Sequence, residues 1–169
     1  MKISFDFKLR LFLPALSAVL LFSTGAALLT GEREAALTPF DIFRLVALTP
    51  AAEEIFFRGI VLSSLGMLRI KGVKWFAVVF SAVFFAFIHP TDAFASALFG
   101  GVVLALISYG DGLVPLTSIC VHSAYNATAA LTAILSDALG IHSAALPVAA
   151  AASAMALWLA VCKGQRRSD

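Results

Sequence analysis

The feature that most restricts this chain is a succession of apolar runs, each about as long as a bilayer is thick, divided by short clusters of charge, Gly and Pro. A helix needs about 20 apolar residues to cross roughly 30 Å of hydrocarbon, and only a helix or a closed barrel satisfies its own backbone there. Strand-like alternation of apolar and polar residues is absent, so helices are expected. Composition names the same solvent. Of 169 residues, 61% are hydrophobic and 13% are charged, whereas a water-soluble domain has about 25% charged. The expected fold is all-α: a polytopic transmembrane bundle of about six spans plus a short lead-in helix, a single domain over residues 1–169.

The first run, Leu11 to Thr30, follows Lys8 and Arg10. Its apolar stretch exceeds the roughly 7–15 residues of a secretory signal core, so a retained anchor is expected. Thr38-Pro39-Phe40-Asp41 reads as a helix start, with Thr as cap, Pro in the first turn and an acid three residues on. Pro50 is expected to break or kink that helix. Pro39 to Thr49 then becomes the lead-in, and Pro50 to Leu68 the second span. Trp75 to His89, Ala93 to Tyr109, Leu113 to Leu135 and Ser143 to Cys162 are the remaining spans, divided by Pro90, by Gly110-Asp111-Gly112 and by the loop holding His142.

Lys and Arg concentrate on the cytoplasmic side of short connections. With the N-terminus inside, Lys2, Lys8, Arg10, Arg69, Lys71, Lys74, Lys163, Arg166 and Arg167 all fall on the inner side. Both termini are therefore expected in the cytoplasm, in a multi-pass cell-membrane protein. The net charge of +2 forms no basic stripe, so no nucleic-acid partner is expected. Cys120 and Cys162 lie inside apolar runs and read as packing residues.

Ionisable side chains inside a span cost about 2.5–3.5 kcal/mol each on insertion scales and by default mark function. Glu53, Glu54, Arg58, His89 and His122 are such residues, and the amide of Asn126 lies one turn beyond His122. Glu54 and Arg58 are four residues apart, on one helix face, and are expected to neutralise one another. Glu53 points about 100° away and has no such local partner. By topology Glu53, His89, His122 and Asn126 reach one level of the bilayer from three spans. A glutamate and a histidine can polarise water for attack on a carbonyl, while a histidine and an amide can stabilise the oxyanion. No serine sits in a Gly-x-Ser-x-Gly turn. Two histidines and a carboxylate could hold Zn²⁺, but the histidines are 33 residues apart and no His-Glu-x-x-His helix is present, so spacing gives a metal little support and no cofactor is expected.

Thr49-Pro50-Ala51-Ala52-Glu53-Glu54-Ile55-Phe56-Phe57-Arg58-Gly59 resembles the Glu-Glu-x-x-x-Arg signature of the CAAX protease and bacteriocin-processing family. Phe85-Ala86-Phe87-Ile88-His89 and His122-Ser123-Ala124-Tyr125-Asn126 match its Phe-x-x-x-His and His-x-x-x-Asn patterns, in the same order. The resemblance spans residues 49–126 and implies a glutamate-dependent intramembrane endopeptidase. It implies that Glu53 acts on water with help from His89, that His122 and Asn126 form the oxyanion site, and that Glu54 and Arg58 support them. Members of the family have also been described as metalloproteases. The short chain and an outward-facing site point away from prenyl-protein trimming and towards cleavage of exported, membrane-anchored proteins, as in the myxosortase-like branch. Two other classes compete: a non-catalytic membrane protein of the bacteriocin-immunity type, and a small proton-coupled transporter. The transporter reading expects inverted halves or paired broken helices, of which only the Pro50 break is evident.

Overall fold

The computed structural model describes residues 12–21, 38–68, 70–110, 113, 115–139, 148 and 151–155. Among them the chain is all-helical. Residues 12–21 form α1. Pro39–Phe43, Arg44–Leu48, Thr49–Glu54, Ile55–Leu62 and Ser63–Gly66 follow without interruption and together make α2. Val73–Phe87 is α3, Phe94–Gly110 is α4 and Leu116–Leu139 is α5, and residues 151–155 form a last turn, α6. Half of the first expected span, most of the last, the loop with His142, Cys162 and the terminal basic residues lie outside the described residues. Among those described, no helix is long and apolar enough to cross a membrane.

Several boundaries follow the local chemistry. Thr38 caps α2 as the sequence suggests: its hydroxyl accepts from the Asp41 N–H at 3.2 Å, and the Asp41 carboxylate accepts from the Thr38 N–H at 3.2 Å. Gly72, at φ +82°, makes the left-handed step into α3 that few other residues take. α3 ends one turn before Pro90, and the chain re-enters α4 at Phe94.

Pro50 departs from expectation. It does not break the helix, because every junction within α2 keeps right-handed helical dihedrals: Arg44 (−60°, −49°), Thr49 (−63°, −51°), Ile55 (−59°, −44°) and Ser63 (−65°, −43°). The turn before the proline widens to π geometry, so the Thr49 N–H reaches back five residues to the Arg44 carbonyl. A wide turn removes the clash of the proline ring with the preceding turn and absorbs its missing N–H. A second wide stretch, Ile55–Leu62, follows the two glutamates.

Widening leaves carbonyls without their usual α-helical donors, and side chains take them over. Ser81 of α3 donates to the Phe57 carbonyl at 3.3 Å, Ser63 to Arg58 at 2.9 Å, and Asn126 of α5 to Leu45 at 2.9 Å. The helices meet closely. A Cβ on Gly101 of α4 would stand 3.1–3.3 Å from backbone and Cβ atoms of Ala82 on α3. The Ser17 hydroxyl of α1 lies 2.9 Å from the Ala151 carbonyl and joins α1 to α6.

Candidate active site

The two adjacent carboxylates of α2 face different surroundings, as a 100° step on a helix requires. Glu54 is fully buried and lies 2.9 Å from Arg58 Nη1, itself fully buried. The expected one-turn ion pair is therefore present. A buried pair is tolerable only when other polar contacts complete it. Arg58 Nη2 donates to the Gly101 carbonyl at 3.1 Å, and its guanidinium lies 4.7 Å from the centre of the Phe85 ring. Glu54 Oε1 also stands 3.1 Å from His122 Nδ1. That last contact was not legible in the sequence, since the partners are 68 residues apart and nothing local marks them.

His122 is fixed by this contact. Because Glu54 is held ionised by the guanidinium and can only accept, Nδ1 is the donor, and Nε2 is left on the side of Glu53. Glu53 Oε2 is 3.8 Å from that nitrogen, too far for a direct hydrogen bond. This oxygen is buried and has no protein group within hydrogen-bond distance, so water is the partner it can take.

His89 is oriented by its own helix. Nδ1 lies 2.8 Å from the Phe85 carbonyl. A carbonyl only accepts, so Nδ1 carries the proton and Nε2 is the free acceptor of the neutral ring. Phe85 thus makes two kinds of contact. Its carbonyl sets the His89 tautomer, and its ring lies 4.5 Å from the His89 ring, 5.8 Å from the His122 ring and 4.7 Å from the Arg58 guanidinium.

Glu53, His89, His122 and Asn126 all line one cavity of about 200 Å³, together with apolar side chains such as Phe85, Leu104 and Val121. That volume holds several waters. The four residues come from α2, the end of α3 and α5, as the topology suggests. Asn126 differs from expectation in one respect. One of its amide N–H groups is already engaged by the Leu45 carbonyl, leaving the other for the cavity. Ser96 and Gly100 of α4 also line the space, unmarked by any motif. Among the described residues no three His, Cys, Asp or Glu side chains are grouped to hold a metal ion.

A family model for type II CAAX prenyl endopeptidases, Rce1-like, matches residues 35–128, more than half of the chain and all four cavity residues. The chain belongs to this family. No curated protein and no solved structure matches it. Membership places the chain among proteases, and the matched region runs from just before α2 into the middle of α5. The three segments that carry the sequence resemblance meet at the cavity, so their order along the chain has a spatial meaning.

Proposed function

We propose that this chain is an intramembrane endopeptidase in which Glu53 activates water for attack on a peptide bond of a membrane-associated protein. The observation that supports this best is the place of the Glu53 carboxylate, which lines the cavity beside His122 Nε2 with His89 on the same space, while its neighbour Glu54 is fully buried against Arg58. Of the two carboxylates, Glu53 is the one that lines the cavity and is partly exposed, whereas Glu54 has no exposure.

In this reading a water held between Glu53 and His89 Nε2 gives its proton to the carboxylate as its oxygen adds to the scissile carbonyl. The oxyanion forms near His122, which in its protonated form donates from Nε2, and near the second N–H of Asn126. Collapse of the adduct breaks the C–N bond, and Glu53 returns its proton to the departing amine. Glu54 and Arg58 hold the helix and fix the His122 ring.

Membrane embedding belongs to the same proposal. Phe76, Phe80 and Phe84 run along one exposed face of α3, and Phe40, Phe43, Ile55 and Ile60 are exposed on α2. An apolar surface of that extent is what lipid covers and water does not. The bundle then lies in the cell membrane with both termini cytoplasmic and its cavity towards the outer face, where a C-terminal sorting anchor of an exported protein would be cleaved.

The test compares membrane proteins from cells carrying wild-type chain or Glu53→Gln by mass spectrometry of their termini. A terminus generated only by the wild type, with equal accumulation of both forms, is the expected result. Identical sets of termini would remove the enzymatic reading.

A further inference from the structure

We infer that Asn126 is a positioning residue whose amide replaces the backbone donor that Pro50 denies to the Leu45 carbonyl, and so fixes the Glu53 segment against α5. In the wide turn of α2 the Thr49 N–H goes five residues back, to Arg44. In that register the donor for Leu45 is the N–H of residue 50, and residue 50 is proline, which has none. The Asn126 Nδ2 sits 2.9 Å from that carbonyl. The orientation of the amide is settled by chemistry, because its other end would set an acceptor against an acceptor.

The placement matters because of what flanks it. Leu45 and Thr49 line the cavity on the turns of α2 that lead to Glu53, and Asn126 stands one turn beyond His122 on α5. The contact therefore ties the helix of the candidate base to the helix of the candidate oxyanion histidine beside the cavity itself. Ser81 and Ser63 serve the second wide stretch in the same way. Asn126 is distinguished from them because it serves backbone with one N–H and faces the cavity with its carboxamide. Pro50 and Asn126 thereby become a matched pair: one creates the vacancy and the other fills it.

The pairing is tested with the full chain purified in detergent, as wild type, Asn126→Ala, Pro50→Ala and the double variant. Loss of a partner for a buried carbonyl should lower the Tm of Asn126→Ala by about 5 °C. Pro50→Ala restores an N–H at position 50, so the double variant should match Pro50→Ala alone. Additive losses would overturn the inference. If Asn126→Ala does not accumulate, recovery of folded protein in the double variant supports the pairing, and failure of the double beside a folded Pro50→Ala overturns it. These readouts need no activity and so stand apart from the endopeptidase reading. Turnover of the substrate found by the terminus comparison separates positioning from simple support. Asn126→Ala should lower kcat with little change in KM, and the double variant should regain at least about tenfold of that loss. A kcat that stays down in the double variant, with Tm restored, would overturn the positioning role.

Discussion

Glu53 and Glu54 are neighbours in the chain, yet one helix residue separates two different environments. On the Glu54 side the structure is closed: carboxylate, guanidinium, the Gly101 carbonyl and the Phe85 ring lie against one another with no exposure of either charged side chain, and Glu54 Oε2 and Arg58 Nε are buried without a hydrogen bond. On the Glu53 side it is open, with a carboxylate that is 18% exposed and two imidazoles around a cavity. The contrast teaches that the doubled acid is not redundancy. One copy is buried in the wall and holds His122, and the other faces the cavity.

The sharpest way to break this contrast is to neutralise each acid in turn. Glu53→Gln should lower cleavage by about 10²–10⁴-fold, the usual worth of a positioned base, with Tm essentially unchanged. Equal activity in Glu53→Gln and wild type would end the distinction. Glu54→Leu should act oppositely and chiefly on the fold. It strands Arg58 in the interior, at a cost of about 3–5 kcal/mol, and should reduce accumulation in the membrane. Glu54→Leu with Arg58→Leu should recover much of that stability while leaving His122 without its acceptor, so the protein returns and turnover does not. Recovery of both would show that the ion pair does not orient the site.

Gly101→Ala probes the closed side at its edge. The added Cβ meets Ala82 at 3.1–3.3 Å, most of it backbone, so α3 and α4 must part. A loss of about 1–3 kcal/mol is expected, read as Tm, with the Arg58 contact to the Gly101 carbonyl disturbed as well. The smallest effect belongs to the helix start, far from either carboxylate. Hydrogen bonds from the Thr38 hydroxyl and Thr38 N–H hold Asp41 below the usual carboxylate range. A lowered native value means that this contribution is complete above the ordinary carboxylate pKa and fades as pH falls through the native one. Thr38→Ala should therefore lower Tm by a few degrees at most near neutrality, and the gap should narrow in strong acid to the part owed to the Asp41 N–H cap. A gap that is constant with pH would show that the box is not formed.

What the sequence made legible was local. The Thr38–Asp41 box, the Glu54–Arg58 turn and the ends of α3 near Pro90 depend on spacings of three or four residues, which a helix translates directly into contacts. At Pro50 the local signal is incomplete for the same reason. Proline is a breaker in an α-helix, but a π turn supplies a second solution, and it draws on an amide 81 residues from the carbonyl it serves. The Glu54–His122 contact was equally hidden, because His-x-x-x-Asn states which residues share a face of α5 and says nothing of which acid that face meets. Cavity-facing Ser96 and Gly100 carry no signal beyond their small size.

The central claim is that Glu53 acts through water, and a single turnover in ¹⁸O-labelled water tests it most directly. With enzyme in excess over the substrate identified from the terminus comparison, the account predicts one labelled oxygen in the new C-terminal carboxyl group and none in the peptide containing Glu53. Label in the Glu53 side chain, or a new terminus without it, would contradict the claim.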